Sequence, residues 1–441
     1  MSENPEALPL PVAAEERIES LDVVRGFALL GILLINICTF GMPAIAESNP
    51  RAWGGSDGAN YVFWWVQYVF WSGKMRALFS LCFGAGVIYL TSRAEAKGAT
   101  AGDIYYRRTF WLMLFGVIHA HLIWYGDILY PYALMGLFLY PLRSLRGRLL
   151  TAFGVALIVI MTVHGLSSVR DLQEARDKSK SFPEHAVLDS ANHGYQSTYR
   201  GRIDNWLPSK EALEKEIKIY REGPYSAAHN HRVGIVQGWT SQTFYAKVWW
   251  DILSMMFIGM GLAKLGAFAG RWPTAVYVRL SILCLLAGGI IGGWAANHEA
   301  RSGFDVVAAT EGYAAYQPLR LMVAFGYFCG LVAMVKVGVM RWLISRLAAV
   351  GRMAFTNYIM HSLICTTIFY SHGFALFGEL ERWQLHIVVA GVWIFQLIVS
   401  PIWLRHFRFG PLEWCWRSLT YWKRQPMRIA APVELTLIEG N

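Results

Sequence analysis

DVVRGFALLGILLINICTFG, residues 22–41, is the stretch on which the fold turns. Its only charges, Asp22 and Arg25, stand at its start. The rest is long enough to cross an apolar layer. A bilayer core of about 30 Å takes roughly 20 residues of helix, and helix or closed barrel alone satisfies the backbone there. The whole chain shares this character. Of its 441 residues 55% are apolar and only 16% charged, against about 25% charged in an ordinary soluble domain. The 19 tryptophans suit a molecule with headgroup belts, where indole rings collect.

Outward from 22–41, nine further stretches read the same way: 74–92, 109–125, 128–142, 149–167, 244–264, 276–296, 319–339, 354–371 and 386–404. The sequence therefore predicts an all-α, polytopic integral membrane protein with about ten transmembrane helices. Residues 60–73 (NYVFWWVQYVFWSG) are intensely aromatic but too short to cross alone. They either lie in the interface as an amphipathic helix or extend the second span.

The formal charge of +10 is held in short clusters at 93–108, 143–148, 264–279, 336–352 and after the last span. The intervening short loops near 126, 297–317 and 372–385 are poor in Lys and Arg. Such alternation belongs to loops facing an anionic leaflet, not to a nucleic-acid surface, and it places both termini in the cytoplasm. The chain divides accordingly into an N-terminal membrane region (1–167), a polar extracytoplasmic insert (168–241), a C-terminal membrane region (242–425) and a cytoplasmic tail (426–441). Within the insert, 209–222 predicts a helix with Ser209 as N-cap and Leu213, Ile217 and Tyr220 as its apolar stripe. The insert is expected to cap the outer mouth. The first 15 residues are polar, without the apolar core of a cleavable signal, so the first span is expected to direct insertion. The six cysteines lie in or beside apolar segments with no CxxC pair. They read as small buried side chains, not as disulfides or zinc ligands.

A charge inside a span costs a few kcal/mol, about 3 on insertion scales, so polar residues there mark candidate sites. Asp22 and Arg25 are one helical turn apart, and Asn36 lies eleven residues beyond Arg25 near the same face. Lys74 and Arg76 stand near the outer end of the second span, where Gly84 and Gly86 allow close helix approach. GVIHAHLIWYGDILYPYALMG (116–136) carries His119, His121 and Asp127, with Gly126 interrupting two short helices. A carboxylate beside an imidazole fixes its tautomer and raises its basicity, which makes a general base. Histidines two apart point to different helix faces, so at most one shares a cavity with Asp127. In the ninth span Arg352 and Thr356 accompany Asn357 and His361, which share a face at i, i+4. No metal-binding spacing, phosphate loop, dinucleotide fingerprint or nucleophile elbow occurs.

SLDVVRGFALLGILLIN (20–36), GKMRALFSLCFGAG (73–86), 116–136 with Arg107 and Arg108 before it, GRMAFTNYIMHSLICTTIFY (351–370) and SPIWLRHFRFGPLEWCWRSLTY (400–421) together resemble the YeiB-like family of bacterial inner-membrane proteins, domain-of-unknown-function family 418. The opening motif is also similar to that of transmembrane acyltransferases, including the heparan glucosaminide acetyltransferase type, where an arginine precedes an asparagine by the same eleven. In related sugar-modifying acyltransferases a histidine often stands where this chain has Asn36, and none follows in 37–118. The resemblance implies acyl transfer but carries over no histidine; from the 116–136 motif itself, His119 or His121, oriented by Asp127, is expected to deprotonate the acceptor. Arg25 would meet the phosphates of a cytoplasmic donor such as acyl-CoA, and Asn36 would help hold the oxyanion. Asp22, Lys74, Arg76, Arg352, Asn357 and His361 complete the expected substrate-binding set, with no bound cofactor and no metal. The expected partners are the bilayer and a small-molecule or glycan acceptor. The alternatives are a transporter or exporter of a small anionic metabolite, and a non-catalytic partner of another envelope system.

Overall fold

The computed structural model describes residues 17–98, 100–181, 190–240 and 249–429. The polar first 15 residues, 244–248 of the sixth predicted stretch and 430–441 of the tail lie outside these; within them each of the ten predicted stretches meets a helix, but the helices differ in length. Among the described residues six are long and apolar enough to cross a membrane: Glu19–Gly41, Gly58–Ala96, Gly147–Ser181, Thr274–Arg301, Tyr316–Val337 and Arg382–His406. The predicted count of about ten is therefore not reached on length and composition. The remainder are Ala101–Ile118, Leu129–Leu142, Trp249–Lys264 and Ala354–Phe369. Two of them end at irregular turns that carry polar side chains, and a third, Trp249–Lys264, is walled in by other helices.

In chain order the helices are α1 (Glu19–Gly41), α2 (Gly58–Val66), α3 (Lys74–Ala96), α4 (Ala101–Ile118), α5 (Leu129–Leu142), α6 (Gly147–Ser181), α7 (Ser190–Trp206), α8 (Lys210–Arg221) and α9 (Tyr225–Trp239). They continue as α10 (Trp249–Lys264), α11 (Thr274–Arg301), α12 (Val306–Ala314), α13 (Tyr316–Val337), α14 (Arg341–Arg352), α15 (Ala354–Phe369), α16 (Arg382–His406) and α17 (Pro411–Tyr421). The aromatic stretch 60–73 forms α2 and a π-turn, and leads into α3 across Gly73, whose φ of 71° breaks the helix. It thus adjoins the second span instead of standing apart from it.

The bundle is arranged around α1 and α10, both buried along nearly their whole length. Close packing without a large apolar-to-water gradient relies on small residues that let backbones touch. A methyl group on Gly26 of α1 would overlap the Leu347 carbonyl of α14, and one on Gly351 would overlap the Asp22 carbonyl. Gly84 of α3 faces the Met256 carbonyl of α10 in the same way, and Gly259 faces that of Leu81. Gly86 was expected to share this role but meets nothing within 4 Å; it lines a cavity. By contrast α6, α11 and α16 turn Val159, Ile160, Ile282, Leu283, Ile290, Ile387 and Ile394 outward. So large an apolar surface on a folded chain calls for a lipid environment.

One end of the bundle carries α14, α17 and most of the arginines. The other is covered by the insert. There α6 continues without a break through residue 167 to Ser181, because its polar continuation is still made of good helix formers. The 209–222 prediction is met closely: α8 begins after Ser209, whose side chain accepts a hydrogen bond from the Ala212 amide, and Leu213, Ile217 and Tyr220 are buried. Tyr220 stacks on Tyr370 with ring centroids 4.6 Å apart. The insert therefore packs onto the end of α15.

Candidate functional site

The chemistry concentrates where α4 ends. Between His119 and Ile123 the helix widens into a π-turn, closed by the Trp124 amide on the His119 carbonyl at 2.9 Å. Such one-residue insertions recur at functional sites. From α9, Arg232 donates to the carbonyls of His121 and Ile123 at 2.9 and 2.8 Å, satisfying groups that the helix end leaves open. The chain then reverses through Gly126, and the Asp127 carboxylate returns to His119: Oδ1 lies 2.8 Å from Nδ1. Its other oxygen accepts the Tyr130 amide at 2.7 Å, capping α5. On the far side of the ring, His119 Nε2 lies 2.8 Å from the Ser362 hydroxyl of α15. An ionised carboxylate only accepts, so Nδ1 carries the proton and Nε2 receives the serine O–H. The three side chains are almost wholly enclosed.

Beneath them, toward the basic end, opens a cavity of about 300 Å³ between α1, α3, α4, α5, α14, α15 and α17. Eight cationic side chains line it (Arg17, Arg25, Arg93, Lys97, Arg108, Arg352, Arg408 and Arg417) against the carboxylates of Asp22 and Glu413. Its floor is made by Ile128, Tyr132 and Tyr358. The Tyr358 ring packs against His119 with centroids 5.2 Å apart. Its hydroxyl accepts from the Ile128 amide at 3.1 Å and donates to the Gly126 carbonyl at 3.2 Å. Tyr358 thus stands between the cavity and the imidazole. The wall is braced by α17. Glu413 accepts from the amides of Phe355 and Thr356 at 2.6 and 3.1 Å, and from the Thr356 hydroxyl at 2.6 Å. A carboxylate there meets the positive end of the α15 dipole.

The predicted residues divide by place. Asp22 and Arg25 form a pair at 3.1 Å and line the cavity with Arg352. His121 turns away; its Nδ1 lies 2.9 Å from the Val117 carbonyl of its own helix. Asn36 is half-buried near the other end of α1 and does not line the cavity. Lys74 is buried against the Tyr68 carbonyl, and Arg76 pairs with Asp251 of α10 at 2.6 Å. Arg320 of α13 holds the other Asp251 oxygen, completing an ion cluster that ties three helices. Asn357 bonds Ser400 at 3.0 Å, and His361 bonds Gln396 at 2.8 Å, so that pair links α15 to α16. Sequence reasoning missed Ser362 and Tyr358. The available signal was their i, i+4 spacing, on the stripe beside Asn357 and His361. It also read Arg93, Lys97, Arg108, Arg408 and Arg417 only as markers of orientation.

Residues 262–423 match the family described as "Protein of unknown function (DUF418)". The chain is 31% identical to the protein named "Uncharacterized protein YeiB" of Escherichia coli (strain K12), over 92% of its own length and 96% of that protein's. It is 30% identical to "Uncharacterized protein YxaH" of Bacillus subtilis (strain 168), over 95% and 97% respectively. The chain belongs to the YeiB-like DUF418 family. The DUF418 match takes in Ser362, Tyr358, Arg352 and Glu413 but stops short of His119 and Asp127. The site is therefore assembled from the matched region and the N-terminal half together.

Proposed function

We propose that this DUF418 protein is a membrane acyltransferase. It takes an acyl group from an anionic thioester donor of the acyl-CoA class at the basic end and passes it to a hydroxyl or amine acceptor. One observation carries the reading: a cavity lined by eight cationic side chains has as its floor a tyrosine packed on an imidazole already joined to a carboxylate. Guanidinium groups recognise phosphate through paired hydrogen bonds. A buried carboxylate on Nδ1 prepares Nε2 as a general base. Arg25 and Arg352 would meet the donor's phosphates. Asn36, outside the cavity lining, has no part in this scheme.

In this reading α4, α5, α10 and α15 cross as well, giving ten crossings and bringing both termini to one side. Charge asymmetry makes the basic end cytoplasmic and the insert extracytoplasmic, in a bacterial inner membrane. An exporter of a small anion is the second reading. What favours it is that a proton-accepting pair, His119 and Asp127, is enclosed next to a cavity lined with cations.

Thermal stability in detergent separates the two. A donor at a hundred times its dissociation constant stabilises by about 2.7 kcal/mol. Acyl-CoA should therefore raise the melting temperature by a few degrees in the wild type, and less in Arg25→Ala and Arg352→Ala. No shift at millimolar acyl-CoA, with proton-dependent anion flux in proteoliposomes, would replace acyl transfer by export.

A further inference from the structure

We propose that Ser362 is a nucleophile which carries the acyl group as a covalent ester between donor and acceptor. The inference rests on the acyltransferase reading and deepens it. Three side chains stand in a fixed order: Asp127 on Nδ1 of His119 at 2.8 Å, and the Ser362 hydroxyl on Nε2 at 2.8 Å. An activated hydroxyl needs a base within hydrogen-bond reach, itself held in one tautomer by a third group. Buried helical serines ordinarily give their proton to a backbone carbonyl of the preceding turn. Ser362 bonds His119 instead, across two helices. A cluster serving packing alone has no need of this order, nor of a position one turn beyond the cavity floor, where Tyr358 lies at i−4 on the same face of α15.

The chemistry closes without a further reactant. Donor entry requires the Tyr358 ring to swing from the floor. The Ser362 oxygen then adds to the thioester carbonyl carbon while its proton passes to Nε2. The adduct collapses with cleavage of the C–S bond, and the departing thiolate takes that proton and leaves as free thiol. An acceptor hydroxyl or amine next adds to the serine ester, giving its proton to Nε2. Collapse breaks the ester C–O bond and returns the proton to Ser362. Donor and acceptor need never occupy the protein together, which suits a site enclosed between a cavity and a cap.

The test uses the full-length protein in detergent, treated with acetyl-CoA labelled in its acetyl group, quenched in acid and digested. Label is expected on the peptide containing Ser362, absent in Ser362→Ala and strongly reduced in Asp127→Asn. In Ser362→Cys the adduct should become a thioester, released by neutral hydroxylamine. Ser362→Ala with wild-type acetyl transfer, or turnover with no labelled peptide in any variant, would overturn the proposal while leaving the acyltransferase reading intact. If acetyl-CoA is neither bound nor turned over, that reading fails, and a fluorophosphonate probe decides the serine by itself. Labelling at Ser362 that Asp127→Asn suppresses keeps the nucleophile; no labelling removes it.

Discussion

Asp127→Asn changes one atom and should silence the site while leaving the fold in place. Asp127 has two duties: Oδ1 accepts the Nδ1 proton of His119 at 2.8 Å, and Oδ2 accepts the Tyr130 amide at 2.7 Å. An asparagine has one accepting oxygen and one donating nitrogen. With its oxygen on Tyr130, its NH2 points at Nδ1, and the imidazole must take the other tautomer. Nε2 then carries the proton, donates to Ser362 and accepts nothing. With the oxygen on His119, the NH2 faces the Tyr130 amide, donor against donor, and the α5 cap worth about 1 kcal/mol is lost. Loss of a charge-assisted bond adds about 2 kcal/mol. The melting temperature should thus fall by only a few degrees. Catalysis is another matter. The same acid-to-amide change in the serine protease triad lowers kcat about 10⁴-fold through the wrong tautomer, equal to about 5.5 kcal/mol of barrier. The assay is acyl-CoA turnover with melting measured on the same preparation. A rate within a few-fold of wild type at unchanged melting temperature would refute the assignment of His119 as a base.

His121→Gln should retain wild-type turnover, since among the described residues that ring's hydrogen bond is to the Val117 carbonyl of its own helix; a loss like that of Asp127→Asn would reverse the assignment of the two histidines. Gly351→Ala puts a methyl group into the Asp22 carbonyl at the α1–α14 crossing; overpacking of this kind costs about 1–3 kcal/mol, visible as a lower melting temperature. Asn357→Leu removes the bond to Ser400 and should cost about 1–3 kcal/mol of stability, with turnover per folded molecule unchanged. His231 of α9 lies against the Tyr220 ring, and burial, with Lys215 nearby, pulls its imidazole below the ordinary value. Its folded pKa is the lower one, so its contribution is full above the unfolded value of about 6.5 and is lost as pH falls through the folded value. The protection of the α8 and α9 amides, corrected for the intrinsic exchange rate at each pH, should therefore fall on acidification in the wild type and less so in His231→Phe.

Length and apolarity located the ten apolar helices, because the cost of exposed backbone in lipid leaves little choice of structure, but not α14 and α17, whose charges read as loop. The α8 prediction succeeded for a local reason: a Ser cap and an i, i+4, i+7 stripe depend on neighbouring residues alone. The site was legible only in part. His119 and Asp127 stand eight apart around a visible Gly break, so their meeting is a short-range matter. Ser362 lies 243 residues from His119, and a hydroxyl is cheap enough in a helix to raise no alarm. Asn357 and His361 raised it instead, and they serve the α15–α16 contact. Charge misled in a similar way. Arg76 looks like a free cation because its partner Asp251 sits 175 residues away on a helix whose apolar run hides it. The arginines that line the cavity also obey the loop-charge rule, so one pattern encodes two roles.

The π-turn at His119 amounts to a register marker. Trp124 bonds the carbonyl five residues back where ordinary helix would bond Ala120. It holds one residue more than the pitch of α4 requires. Deleting Ala120 would restore ordinary winding without removing any polar side chain, and would leave one residue fewer between His119 and Asp127 in which to make the return. His119 would then keep its place on α4 while Asp127 was carried off its ring. Chains related to this one by gaps in the segment 119–123 should accordingly be sorted by the count of residues between their histidine and aspartate, since that spacing, as much as the identities, sets whether the pair can form.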